Sequence, residues 1–263
     1  MTPKHLTLST DSRGVARLTL NRPEVKNAFN EDLIGEIADA MGRLNAEKAV
    51  RIVVLTGVGD AFSAGADLSM MKRVAGYSAA ENRQDALRLA HMLNAIHACE
   101  KPVIGLVNGL CMGGGVGLAS ACDIVIAAEE AFFALSEVRL GLIPAVISPF
   151  VVRAIGVRQA QRYFLTGERF DAMTAKAIGL AHMVCMKAQL EATLESVIDN
   201  LLSCGPHAQK EAKALIRLVA HRPIDDAVME ETAALIARVR ASEEGKEGVT
   251  AFLEKRKAAW VKG

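Results

Sequence analysis

Three short runs of branched apolar residues constrain this chain more than any other feature in it. Ile52-Val53-Val54-Leu55 lies within 51–56 and stops at Gly57 and Gly59; Val103 to Val107 follows Pro102 and stops at Asn108-Gly109; Ile124-Val125-Ile126 follows Asp123. Each run is apolar at consecutive positions, so both faces of the strand it forms must be covered. Helical periodicity separates the runs. Asn30 is placed to cap a helix whose apolar face is Leu33, Ile34, Ile37, Met41 and Leu44, and helix-period residues fill Ser78 to Ala98. Strands alternating with helices imply an α/β core, with strands packed between helices. A further strand is expected at Val15 to Leu20, ending in the turn signal Asn21-Arg22-Pro23.

The pattern changes after about residue 190. Leu190 to Leu202, Pro206 to Val219, Ile224 to Val239 and Gly248 to Trp260 read as amphipathic helices, with Gly205-Pro206 a stop followed by a start. The chain therefore divides into a core, 1–190, and a helical region, 191–263, that carries no chemical motif and is expected to pack on a neighbour. A net charge of +1 and only 4% aromatic residues argue against a nucleic-acid surface. No apolar run reaches the roughly 18–20 residues that cross a bilayer, and Met1 to Arg17 lacks a signal-peptide stretch, so a cytoplasmic location is expected. Cys99, Cys111, Cys122, Cys185 and Cys204 show neither a CxxC nor a zinc spacing, so reduced thiols and no metal site are expected.

Three loops at strand ends are the candidates for chemistry. Phe62-Ser63-Ala64-Gly65-Ala66-Asp67-Leu68 is built of small residues that let a ligand approach the backbone; a tight strand-to-helix turn uses the same residues. Asn108 to Gly117 holds Gly113-Gly114-Gly115 at a helix start, where unpaired N–H groups and the helix dipole favour an anionic oxygen. It is neither a phosphate loop nor a dinucleotide fingerprint, and close helix–strand packing would also explain the glycines. Glu137 sits among apolar residues before Gly141-Leu142-Ile143-Pro144, where burial would raise its pKa toward a useful acid/base; an ion pair with Arg139 is the simpler reading of Glu137 alone.

Together these words resemble the crotonase (enoyl-CoA hydratase/isomerase) superfamily. The resemblance runs from Leu20-Asn21-Arg22-Pro23 and Asn27-Ala28-Phe29 through the three loops, Cys122-Asp123-Ile124, Leu165-Thr166-Gly167 and Ala175 to Leu180, and closes on Phe252 to Lys257. It implies a spiral of β-β-α units followed by a helical oligomerisation region, a homotrimer or dimer of trimers. It assigns the amides of Ala64 and Gly114 to an oxyanion hole for a thioester carbonyl, and Glu137 to catalysis. It places Ala64, Ala66, Asp67 and Leu68 along the pantetheine and adenine end of the acyl-CoA substrate, and Lys255 and Lys257 at a CoA phosphate. No cofactor beyond the CoA of the substrate is implied.

The chain departs from that pattern where hydratases carry a first glutamate: the position is Gly117. Ala145-Val146 replaces a glycine-rich stretch, and Asp67 and Glu81 are other carboxylates nearby. The words from Gly113 to Pro149 resemble a bacterial subgroup near methylglutaconyl-CoA hydratases. They imply water addition to a branched enoyl-CoA in leucine or isoprenoid catabolism, with Glu137 as base and the Ala145 N–H holding the water. Lys72, Arg73 and Arg83 are candidate cations for the extra substrate carboxylate, although each also reads as part of a solvated helix face. General enoyl-CoA hydration and Δ3-Δ2 isomerisation are the alternatives within the family. Outside it stand a serine hydrolase at Ser63, one residue short of a nucleophile elbow, and a non-catalytic RNA-binding relative.

Overall fold

The computed structural model describes residues 4–261. The chain opens on an antiparallel pair, β1 (Leu6–Thr10) and β2 (Val15–Leu20), followed by helix α1 (Glu31–Ala46). Asn30 caps α1, its side chain accepting from Leu33 N, and the face Leu33, Ile34, Ile37, Met41, Leu44 is buried as its spacing predicts. Three turns of similar build follow, each with a strand in one sheet, a short strand in a second sheet and then helix. They are β3 (Ile52–Gly57), β4 (Ala61–Ser63), α2 (Leu68–Val74) and α3 (Ala79–His97); β5 (Val103–Val107), β6 (Leu110–Met112) and α4 (Gly114–Ala121); and β7 (Ile124–Ala128), β8 (Phe132–Ala134) and α5 (Ser148–Thr166). Strand β9 (Arg169–Asp171), helix α6 (Ala172–Ala177) and strand β10 (Met183–Cys185) complete the sheets. The first sheet has the order β1-β2-β3-β5-β7-β10 and is parallel from β2 onward; the second is β4-β6-β8-β9, with only β9 antiparallel. This is the expected spiral of β-β-α turns.

Alternate residues of the first sheet serve two cores, as a pleated strand requires. Val53, Leu55, Val103 and Val107 face the large cluster with α1, α3 and α4. Ile52, Val54, Ile104, Leu106 and Ile126 face Leu190, Leu194, Val197 and Ile198 of α7 (Leu190–Ser203). Burying each such side chain contributes roughly 1.5–3 kcal/mol.

The last helices are α8 (Pro206–Val219), α9 (Asp226–Ala241) and α10 (Glu243–Leu253). The helix expected from Gly248 to Trp260 starts earlier and stops sooner, because Lys255 turns to a left-handed φ of 53°. Trp260 folds back instead, its Nε1–H donating to Ser203 O at 3.0 Å. The helix expected from Ile224 begins at Asp226, capped by Asp225, and Ile224 is exposed. The C-terminal helices meet the core at the starts of the parallel strands: Arg51 donates to Cys204 O, Arg217 to His97 O, and Lys213 to Lys101 O. The three candidate loops follow the other ends of those strands. No helix among the described residues is long and apolar enough to cross a membrane.

Candidate active site

Two chain segments clamp each other to form one wall of the site. Lys26 and Asn27 both adopt left-handed backbone, which turns the segment back along the loop after β4. Buried Asn27 holds that turn, its Nδ2 donating to Val58 O and Ala61 O while Oδ1 accepts from Arg22 N. Ala64 N donates to Lys26 O at 2.9 Å, Phe29 N to Gly65 O at 2.6 Å, and Asp67 N to Phe29 O at 2.8 Å. Ser63 Oγ donates to Asn27 O and accepts from Gly65 N. Of the amides from 64 to 67, only that of Ala66 has no acceptor among the described residues, and Ala66 is exposed. The assignment of the oxyanion donor to Ala64 is therefore corrected: its N–H is spent inside the fold, and the free donor is Ala66.

The glycine triplet supplies the opposite wall. Gly113 N donates to Ala134 O at the end of β8, and Gly113 takes φ 49°, the left-handed turn that starts α4. The Gly114 N–H has no acceptor among the described residues. A Cβ on Gly65 would stand 3.1 Å from Gly114 N, and one on Gly114 would stand 2.8 Å from the ring of Phe29. Backbone thus meets backbone, and the free Ala66 amide is one residue from the contact that Gly65 makes with Gly114. Gly114 also lies at the positive end of α4.

Glu137 opens a 3-10 turn, Glu137–Leu140, three residues beyond β8. The pairing of Met112 with Ala134 brings this turn beside the triplet: a Cβ on Gly113 would lie 3.2 Å from Glu137 Oε1. Glu137 Oε2 is shielded from solvent and has no hydrogen-bond partner among the described residues. Burial pushes its carboxyl above the ordinary glutamate range. Arg139 does not pair with it; its Nε donates to Gly167 O. A carboxylate with an unused oxygen beside two unused N–H donors can move a proton next to a developing oxyanion.

The other candidates divide. Leu68 and Lys72 are exposed on α2 beside Ala66, and Lys72 has no ion-pair partner among the described residues. The buried Asp67 carboxylate is not turned to a ligand. The Ser69 hydroxyl and amide and the Arg22 guanidinium hold it at about 2, and it caps α2. Arg73 is paired with Glu31 of α1, and Glu81 forms a capping box with Ser78. The Ala145 N–H donates to Ile143 O at 2.8 Å, so it is not the free water donor expected. Ser63 is fully buried, which removes the nucleophile a serine hydrolase needs. Lys255 and Lys257 follow α10, which packs on α8 and α9. Arg83 is exposed on α3.

At Gly117 the structure adds what the sequence did not reveal. The residue is buried in α4, and a Cβ there would stand 2.7 Å from Ile147 Cβ. Ile147, buried at the entrance of α5, occupies the space a side chain at 117 would need. A sequence signal existed only as the pairing of a glycine with a distant branched residue, which spacing cannot show.

The enoyl-CoA hydratase/isomerase family model matches residues 10–263. The crotonyl-CoA hydratase of Syntrophomonas wolfei is 37% identical over 249 residues, which are 94% of this chain and 94% of that protein. The short-chain-enoyl-CoA hydratase of Clostridium acetobutylicum is 34% identical, covering 92% of each chain. The crystal structure of an enoyl-CoA hydratase from Shewanella pealeana superposes with a TM-score of 0.95 at 41% identity, over 98% of this chain and 96% of that one.

Proposed function

Because the chain belongs to the enoyl-CoA hydratase/isomerase family, we propose that it adds water to a branched α,β-unsaturated acyl-CoA bearing a second carboxylate, 3-methylglutaconyl-CoA or a close analogue. The observation that carries this reading is the half-buried carboxyl of Glu137 against Gly113, next to the free Gly114 amide, with the free Ala66 amide adjoining Gly65 on the facing loop. The thioester carbonyl oxygen accepts from both amides. As water attacks the β-carbon, charge moves onto that oxygen, and the two fixed donors stabilise it; each is worth about 10²–10³ in rate. Glu137 takes one proton from the water and returns it to the α-carbon, so the OH and the H both come from one water molecule. A raised pKa suits a group that must give the proton back. Lys72, exposed beside the Ala66 loop, is the cation offered to the distal carboxylate.

Purified protein assayed in parallel on 3-methylglutaconyl-CoA and crotonyl-CoA, by loss of enoyl-thioester absorbance, tests the reading. Preference for the first supports it, and equal or faster loss of the second sinks the dicarboxylate assignment. The seat of Ile147 against Gly117 favours one further reading, Δ3-Δ2 isomerisation, because a lone carboxylate suffices to move a proton between two carbons. Absorbance gained from a 3-enoyl-CoA would establish it.

The division of labour follows the proposed two regions. Residues 1–190 carry the acyl-CoA site, and 191–263 carry association into a homotrimer or dimer of trimers, chiefly through the helices beyond α7. Val249, Phe252 and Leu253, all exposed on α10, support that surface. Lys255 and Lys257 would then reach the CoA phosphate of a neighbouring chain.

A further inference from the structure

Helix α4 ends far from the chemistry. Its eight residues separate the Gly114 amide from Ala121 by about 10 Å, and at that far end a cavity of about 350 Å³ opens between α4, α5 and α8. That volume lies at the small end of the range for small-molecule sites, about 300–1,000 Å³. Besides the Cys122 thiol, six titratable side chains line it: His97, Asp123, Arg153, His182, Lys213 and Arg217. The single carboxylate is already committed, Asp123 Oδ2 accepting from Lys213 Nζ at 2.6 Å and from Val103 N at 2.7 Å.

The donors are not all committed. Arg153 makes no hydrogen bond or ion pair among the described residues. His182 Nδ1 accepts from Val125 N, which puts the ring proton on Nε2, where no acceptor is found among those residues. The Ser120 hydroxyl is shielded from solvent and also lacks a partner. Burial, then the nearby charges of Arg153, Arg217 and Lys213, lower the pKa of His97, so these cations act on one spot. Arg153 and His182 are exposed at the mouth, and the shielded, unpaired Ser120 hydroxyl stands beside the cations Arg153, Lys213 and Arg217, a set that suits an anionic oxygen. The remaining wall is apolar. Phe150 is fixed edge-on against His97 at 5.6 Å, and Ile216 is exposed beside it.

We propose that this cavity binds a small organic carboxylate, its oxygens taken by Arg153 and Ser120 and its short carbon body laid on Phe150 and Ile216. None of these residues is among those assigned to the acyl-CoA site, Ala66, Gly114 and Glu137. The proposal is therefore independent of which enoyl-CoA the enzyme hydrates.

Isothermal titration of the full-length protein with butyrate, and with inorganic phosphate at matched ionic strength, provides the test. One saturable butyrate site per chain is expected, with phosphate weaker because it leaves the apolar wall bare. Arg153→Gln breaks no existing bond, so Tm and turnover should hold while butyrate affinity falls about tenfold or more. Ser120→Ala should weaken butyrate as well, through a separate contact. No saturable butyrate binding, binding that both variants leave intact, or phosphate binding as tight as butyrate would each overturn the proposal.

Discussion

At the scale of the residue, this site depends on which polar groups the fold has already used. Ala64 and Ala66 have the same side chain and sit two positions apart, yet one N–H is bonded to Lys26 O and the other is not. An amide-to-ester replacement at Ala66 is expected to lower kcat by about 10²–10³. The same replacement at Ala64 should lower Tm and spare kcat; the opposite pattern would return the donor role to Ala64. Glu137 carries a second expectation. With its pKa raised in the folded state, the native protein holds the proton to higher pH than the unfolded chain. Stability therefore falls as pH rises from the ordinary glutamate range through the raised value. Glu137→Gln should abolish turnover, leave acyl-CoA binding near normal and raise Tm at pH 7, with the gain vanishing toward pH 4. A Tm equal to wild type at both pH values would mean the carboxyl is not strained by burial. The sequence made Glu137 and Gly114 legible because a carboxylate among apolar residues and a glycine triplet are local signals. It could not separate Ala64 from Ala66, since that depends on a left-handed turn at Lys26 and Asn27, some forty residues away.

At the scale of the element, the long periodic segments were readable and the short ones were not. Helix α1, strand β5 and the start of α8 stand where cap, branched run and Gly205-Pro206 place them. Strands β4, β6 and β8 are each three residues long, too short for periodicity, and exist because they pair with one another. No helix was expected for α5, whose register breaks at Gly156 with φ 73°. The contact between α4 and α5 makes a further expectation. Gly117→Glu would drive a side chain into Ile147, at a cost of about 1–3 kcal/mol or more for an overpacked core. The variant should lose Tm and gain no hydratase rate, and Ile147→Ala should restore Tm in the double variant. A stable, faster Gly117→Glu single variant would show that α5 yields easily.

At the scale of the whole molecule, the surface is uneven. Phe252 and Leu253 on α10 are 81% and 72% exposed, adjacent apolar side chains with nothing covering them among the described residues. Sedimentation equilibrium is expected to give a trimer or a multiple of it, and Phe252→Asp should shift it toward smaller species. A monomeric wild type would remove the association reading. The two cores set a different boundary. The second core needs α7 as much as the sheet, because Leu190, Leu194, Val197 and Ile198 pack with Ile52, Val54, Ile104, Leu106 and Ile126 in one cluster. A chain stopped after residue 203 should stay folded, as judged by cooperative urea unfolding. One stopped at 189 should lay bare the underside of five strands and aggregate. For ribosomal synthesis, the sheet is then only half-clothed until α7 has left the exit tunnel, and a growing chain must keep that face from other nascent proteins until its own last layer arrives.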